Sequence, residues 1–527
     1  MKALIRALGF GLAGLAQAAS IAAPWNGQPQ WWLQLLSLGA LVWLLDGLRK
    51  PDDRGAWRAG AFLGWIFTTA WLCGTFWWLF ISMHTYGGLP APMAAIAVFA
   101  LSAALALYYV VACGLYVAFA PANALGSAAF FAALWTVAEL VRGSWFTGFP
   151  WGAGGYAHVD GPLAVYAPWI GVYGIGAVAA AIAALAAVAL RRARARARPL
   201  ATSAGLALIL LCVPALLGAI RGTPADDAAR SHGQLRIALL QGNIPQDEKF
   251  IPGGGIATAL RWYGEQLHTA TAPLVITPET ALPLLPSQLP PGYLEAVAAR
   301  YSSGKQAAIV GLPLGDRDGY SNAVVGFRPG EARPYRYEKH HLVPFGEFIP
   351  GLFRWFTEMM NIPLGDFNSG GLAQAPFVWQ GQRIAPNICY EDLFGDEIGA
   401  NFRNEADAPT ILLNVSNIAW FGDSIAIDQH LAISRMRALE FQRPMVRATN
   451  TGATAVIDHR GRVTHELPRL TRGVLEAEVE GRTGLTPYAI WVSRFRLWPL
   501  WVLALAVVAA TLWTQRRRRM QAAAVTG

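Results

Sequence analysis

A chain of 527 residues in which 54% are apolar and only 14% charged is not purely soluble, and 21 Trp, 24 Phe and 15 Tyr exclude disorder. Four cysteines are too few for a disulfide scaffold. The net charge of +9 is uneven: residues 221–496 hold 28 acidic and 26 basic side chains, the remainder 5 and 16. The positive balance belongs to the apolar part, where it marks membrane topology and not nucleic-acid binding.

A spanning helix needs about 20 mostly apolar residues. Such stretches lie near 3–23, 30–48, 59–82, 91–119, 124–142, 168–190, 201–220 and 496–514. The first is read as a retained helix, although Lys2, Arg6 and Ala16-Gln17-Ala18 also fit a secretory signal. With eight spans, the basic clusters Lys2/Arg6, Arg49–Arg58, Arg191–Arg198 and Arg516–Arg519 all fall on one side. By the positive-inside rule both termini are cytoplasmic and the domain between spans seven and eight faces outward. The expected organisation is a seven-helix membrane domain at 1–220, an outward-facing domain at 221–494, a membrane helix at 495–515 and a cytoplasmic tail at 516–527.

Within the spans, Glu139 and Arg142 lie three apart on one helical face and read as a local ion pair. The following run, Trp145-Phe146-Thr147-Gly148-Phe149-Pro150-Trp151-Gly152, fits either an interfacial aromatic belt or an element that handles lipid at the outer face.

From about residue 233 short β runs alternate with helical stretches. Strands are predicted at 235–240, 274–277, 307–311, 322–327, 384–388, 410–415, 445–448, 453–457 and 474–479, and helices at 256–269, 291–302, 394–405 and 427–442. This pattern predicts a layered α/β domain with its site at strand ends. Cys389 is the sole cysteine of this domain, so no disulfide can form within it. It ends the run Arg383-Ile384-Ala385-Pro386-Asn387-Ile388, a placement that presents a sulfur at the sheet's edge. A thiol nucleophile needs a proton acceptor and a group to hold an oxyanion. Glu279, just past the strand Leu274–Thr277, and Lys339 with Glu347 are candidates. His340 and His341 adjoin them, but no metal-ligand spacing follows.

These motifs resemble the nitrilase superfamily of carbon–nitrogen hydrolases, and more closely the bacterial apolipoprotein N-acyltransferase family. The resemblance rests on Gln241-Gly242-Asn243-Ile244-Pro245-Gln246, the Lys339–Glu347 run, Cys389-Tyr390-Glu391, Ser416-Asn417 with Ala419-Trp420-Phe421-Gly422, and Gly148-Phe149-Pro150-Trp151. It covers nearly the whole chain. It implies a multi-span α-helical membrane domain plus an α/β nitrilase-like domain, an α-β-β-α sandwich. It also implies Glu279 as general base, Lys339 as oxyanion stabiliser and Cys389 as nucleophile, with Glu347, Tyr390 and Glu391 in support. Thr277, Phe250 and Ile418 depart from the family pattern and bear on pocket shape and substrate preference.

The implied reaction moves a fatty acyl chain from a membrane phospholipid to Cys389, and then to the α-amine of a diacylglyceryl-cysteine apolipoprotein. No cofactor, metal or nucleic acid enters it. The expected setting is the bacterial inner membrane, as a monomer, with the catalytic domain outside. Phe345, Phe348, Leu352, Phe353, Trp355, Phe356 and Met359 form either a membrane-dipping lid or ordinary core, and Trp151, Trp420 and Phe421 are further candidates for substrate contact. The rival readings are a membrane-tethered amidase or nitrile hydrolase with the same residues, and a non-enzymatic outer-face sensor.

Overall fold

The computed structural model describes residues 1–49, 55–194, 213, 224–316, 319–331, 333–349 and 367–526. They fall in two compact units, one drawn from Met1–Trp77, Pro92–Arg221 and Leu497–Gly527, the other from Trp78–Ala91 and Gly222–Arg496.

Among the described residues of the first unit, six helices are long and apolar enough to cross a membrane. They are α1 (Lys2–Ile21), α3 (Ala56–Phe76), α4 (Ala91–Phe119), α5 (Ala124–Ser144), α6 (Ala167–Arg194) and the C-terminal helix Trp498–Thr526. The apolar α2 (Trp31–Asp46) has 16 residues, fewer than the stretch 30–48 suggested. Apart from residue 213, the predicted span at 201–220 lies outside the described residues. The third apolar run, read as 59–82, stops as α3 at Phe76. The run overshoots because Trp78 and its successors are apolar for a different reason: they pack in the second unit. Trp78 packs against Phe421 with the rings tilted and 4.3 Å between centroids, and donates from Nε1 to Gln429 at 2.9 Å.

Among the described residues the second unit contains two six-stranded sheets. The first comprises β1 (Ser231–Gln241), β2 (Leu274–Ile276), β3 (Ala307–Asp316), β4 (Gly319–Phe327), β5 (Tyr335–Glu338) and β12 (Gly473–Arg482), in the order β12-β1-β2-β3-β4-β5. The second comprises β6 (Phe377–Trp379), β7 (Gln382–Ile388), β8 (Ile411–Ser416), β9 (Met445–Thr449), β10 (Ala455–Ile457) and β11 (Val463–Glu466), in the order β11-β10-β9-β8-β7-β6. In each sheet three parallel strands, β1-β2-β3 or β7-β8-β9, are flanked by antiparallel ones.

The period-2 alternation of the strands sorts their side chains into layers. Leu235, Ile237, Leu239, Leu274 and Ile276 face inward, where they meet Ile384, Ile388, Ile411, Leu413 and Val415 of the other sheet. Each such residue, fully buried, contributes about 1.5–3 kcal/mol. The alternate positions Leu240, Val275, Ala308 and Val310 pack outward against α7 (Gly255–Thr269) and α8 (Tyr293–Ser303). On the far side Ala385, Leu412 and Met445 pack against α9 (Ile425–Phe441) and α10 (Pro487–Phe495). The result is an α-β-β-α sandwich, as the family resemblance implied. Strands with both faces buried read as near-continuous apolar runs, which is why they were found. The predicted helix 394–405 forms as one α-turn, Gly395–Gly399, that runs on into a 3₁₀ turn, Ala400–Phe402.

In the first unit the charged pair of α5 does more than neutralise itself. Glu139 and Arg142 are both fully enclosed, with 3.7 Å between them. Arg142 Nη1 donates to the carbonyls of Phe149 and Trp151, each at 2.7 Å, and Nε donates to the Tyr109 hydroxyl at 3.0 Å. Glu139 accepts from Tyr109 at 3.1 Å and from the Gly154 N–H at 3.2 Å. The pair therefore satisfies the backbone of the non-helical segment 149–154 where water cannot. Removing one member of such a pair strands the other. Arg142→Ala is expected to cost about 3–5 kcal/mol, measured as a fall in Tm of the detergent-purified protein; an unchanged Tm contradicts this role.

Candidate active site

Three of the predicted site residues leave the carboxyl ends of strands in the second unit. Glu279 follows β2, where Pro278 ends the ladder by lacking an N–H. The Pro278–Glu279 backbone crosses directly over β3 at Gly311, where any Cβ would lie 2.1 Å from the Pro278 carbonyl oxygen. The Thr277 hydroxyl accepts from the Gly311 N–H at 2.9 Å and locks this crossing. Lys339 is the first residue after β5, its N–H donating to the Asn322 carbonyl at 2.8 Å. Cys389 follows β7, which lies between β6 and β8, so the thiol stands at the sheet's carboxyl end. Its φ is +54°, a left-handed conformation uncommon outside glycine, and it remains partly exposed between the buried Ile388 and Tyr390. A sharp turn of this kind thrusts a nucleophile out of the sheet.

The charges around the thiol are interlocked. Glu279 Oε1 accepts from Asn322 Nδ2 at 2.6 Å and lies 3.6 Å from Lys339 Nζ, while Oε2 accepts from the Asn417 N–H at 2.8 Å. Lys339 Nζ also donates to Glu347 Oε1 at 2.8 Å, and Asn322 Nδ2 donates to the same oxygen at 2.8 Å. One ammonium and one amide thus bind both carboxylates. A second buried ammonium, Lys249, donates to Thr280 Oγ1 at 2.9 Å and to the Glu279 carbonyl at 3.4 Å. Two cations and two anions share this interior. Such a group is tolerable only when each member is paired.

The protonation states follow from that pairing. Burial raises the Cys389 thiol, the Glu279 charge raises it further, and Lys339 offsets part of this, leaving it pushed up to about 12. Burial also pulls Glu279 upward, but Lys339, the Asn322 amide, Lys249 and the Asn417 N–H together hold it below the ordinary glutamate range. Burial alone would depress Lys339, and the adjacent Glu347 and Glu279 instead lift it well above the ordinary lysine range. Burial lowers Lys249 to about 8. At neutral pH the resting site is therefore a carboxylate, an ammonium and a neutral thiol.

The other predicted residues divide by what they touch. Glu347 Oε2 accepts from the Val343 N–H at 2.9 Å and shapes the turn that carries Phe345 and Phe348. Glu391 is a brace: Oε2 accepts from Ile388 N at 2.6 Å and the Tyr337 hydroxyl at 2.9 Å, and Oε1 from His340 N at 2.7 Å and His341 N at 3.2 Å. It ties the segment after Lys339 to the strand that ends in Cys389. Tyr390 packs on Phe394 and His341. Phe348, Trp420 and Phe421 are half-buried, with Trp420 against Tyr86. Trp151 is buried in the first unit. Leu352, Phe353, Trp355, Phe356 and Met359 lie outside the described residues. Asn322 and Lys249 received no role from sequence. The available signal for Asn322 was a lone amide opening the otherwise apolar strand Asn322–Phe327.

Residues 13–185 match the family model described as the apolipoprotein N-acyltransferase N-terminal domain, and residues 236–488 match that of carbon–nitrogen hydrolase. An apolipoprotein N-acyltransferase of Verminephrobacter eiseniae is 59% identical, covering 97% of this chain and 96% of its own length. One of Ralstonia nicotianae is 46% identical, covering 87% and 85%. Another, of Bordetella bronchiseptica, is 41% identical, covering 94% and 95%.

The protonation states predict an unusual alkylation profile. The carboxylate–thiol pair carries one negative charge between its two titrations, so the fraction able to react stays constant there. Iodoacetamide should alkylate Cys389 at a rate flat from about pH 5 to about pH 7.5, whereas an ordinary thiol gains about tenfold per pH unit over that range. Glu279→Gln should restore the rise. A rising rate in the unaltered protein contradicts Glu279 as the proton acceptor.

Proposed function

The chain belongs to the apolipoprotein N-acyltransferase family, and on that premise we propose that Glu279, Lys339 and Cys389 carry a two-step acyl transfer. In the first step Cys389 Sγ attacks the ester carbonyl carbon of a membrane phospholipid as its proton passes to Glu279. With the thiol pushed up to about 12, a free thiolate does not accumulate, and proton loss accompanies S–C bond formation. The Lys339 ammonium, held charged by Glu347 and Glu279, meets the oxyanion. The ester C–O bond then breaks, the leaving alkoxide takes the proton from Glu279, and a lysophospholipid departs from a Cys389 thioester.

In the second step the α-amine of an S-diacylglyceryl-cysteine at the N-terminus of an apolipoprotein attacks the thioester carbon. Glu279 accepts the amine proton, the C–S bond breaks, and the sulfur leaves as a thiol once that proton returns to it. An N-acylated lipoprotein is released and the site is restored. Both acyl donor and acceptor keep their chains in a bilayer, which is the use of the apolar helices. In this reading the enzyme spans the bacterial inner membrane, the catalytic domain faces outward, and Glu347, Tyr390 and Glu391 support the site. The observation that carries it is the geometry at Glu279: one oxygen lies between Asn322 and Lys339, the other is fixed by Asn417, and the carboxylate is ionised beside a neutral thiol. The match of residues 13–185 to the acyltransferase N-terminal domain weighs against a tethered hydrolase.

Transfer measured with phospholipid micelles and a diacylglyceryl-cysteine peptide should fall about 10⁴-fold or more in Cys389→Ala. Glu279→Gln should cost about 10²–10⁴-fold and Lys339→Met about 10²–10³-fold. Cys389→Ala protein that still acylates the peptide would refute the assignment.

A further inference from the structure

Beneath the Cys389 turn lies a cluster of buried polar groups that the mechanism above does not use. His430, Ser434, Arg447 and Asp392 are all fully enclosed. His430 Nε2 lies 2.9 Å from Asp392 Oδ1 and 3.2 Å from the carbonyl oxygen of Cys389. Arg447 Nη2 lies 3.1 Å from His430 Nδ1, and Arg447 Nη1 lies 3.3 Å from Asp392 Oδ2. Ser434 Oγ donates to the same Asp392 oxygen.

The arrangement looks like an aspartate–histidine couple next to a cysteine, but it is not aimed at the sulfur. A guanidinium can only donate, so Nδ1 is the acceptor nitrogen and Nε2 carries the hydrogen. That hydrogen is shared between Asp392 and the Cys389 carbonyl. A nitrogen already bearing its proton cannot take one from the thiol. From the other side Asn414 Nδ2, on β8 and fully buried, donates to the same Cys389 carbonyl at 3.1 Å and to Asn387 Oδ1 at 2.7 Å. Two buried donors from two different elements therefore converge on the nucleophile's own carbonyl.

The geometry assigns His430 and Asn414 as positioning residues that set the plane of the Cys389–Tyr390 peptide and so aim the Tyr390 N–H at the developing oxyanion. The peptide is planar and trans, so fixing its carbonyl fixes the opposite direction of its N–H. Cys389 is in the left-handed region and opens the short 3₁₀ turn Cys389–Leu393, and the two side chains bond its carbonyl from outside that turn. Asp392, Ser434 and Arg447 act one step further back, by holding the His430 ring in its tautomer. This inference rests on the Cys389 thioester reading.

Acylation and alkylation separate the two ideas, because iodoacetamide chemistry builds no oxyanion. In full-length, detergent-purified protein, acyl-enzyme formation from mixed phosphatidylethanolamine–phosphatidylglycerol micelles is followed by intact mass. Alkylation of Cys389 at pH 7 is followed by peptide mass. His430→Leu and Asn414→Leu should each slow acylation about 10–100-fold, a partial loss of one oxyanion donor, while alkylation changes less than about twofold. His430→Gln, whose amide can replace the Nε2 donor, should return acylation to within about fivefold of the unaltered protein. Acylation that is unchanged in both leucine variants overturns the proposal. So does a parallel fall of acylation and alkylation, which marks a collapsed turn and a merely structural role. Unaltered protein that alkylates normally but never acquires an acyl group overturns the thioester reading itself, and this inference with it.

Discussion

The ion pair between Lys339 and its two carboxylates, Glu279 and Glu347, is the constraint on which the catalytic unit turns. An ammonium buried to 1% exposure is stable only where opposite charge meets it at hydrogen-bond range. Glu347 meets it at 2.8 Å and Glu279 at 3.6 Å, with the Asn322 amide donating to both carboxylates. Lys249 supplies the fourth charge. This balance gives chemistry as well as stability. In the proposed mechanism the same ammonium that holds Glu279 ionised also receives the oxyanion, so little reorganisation is needed when charge develops on the substrate. On the same proposal Glu279, at the longer contact, takes a proton without breaking the tighter Lys339–Glu347 bond.

The sandwich exists to bring these residues to one place. Glu279 and Lys339 leave the first sheet, Cys389 and Asn417 the second, and every one departs from the end of a strand packed in the shared core. Glu391 then couples the two sheets locally, since it binds backbone N–H groups on both sides of the site. A shift of one strand would move a charge away from its partner and leave it unpaired in the interior, so packing and electrostatics enforce the same geometry.

Much of this was legible in the sequence because strands buried on both faces announce themselves as apolar runs. The candidate nucleophile was equally visible, as a lone cysteine at a strand end. Three strands escaped. Tyr335–Glu338, Phe377–Trp379 and Val463–Glu466 are short edge strands, each with an exposed residue, and two of them carry charged residues that break the apolar pattern. The partners Asn322 and Lys249 escaped because a single amide or lysine has no local signature; its meaning comes from residues 25 to 43 positions away that the fold brings beside it. Glu139 and Arg142 were seen as a pair, but not as a clamp on segment 149–154, since backbone carbonyls needing donors are invisible until the chain is folded. Trp78 misled for the opposite reason, its hydrophobicity serving Phe421 instead of extending a membrane helix.

The central claim is that acyl transfer passes through Cys389. The most direct test is the intact mass of the purified protein after incubation with phospholipid and no acceptor, followed by peptide mapping. The account predicts a gain of one fatty acyl group, located on Cys389, that disappears when a diacylglyceryl-cysteine peptide is added and reappears on that peptide's α-amine. Folded protein that acylates the peptide at full rate while never carrying an acyl group on Cys389 would contradict it.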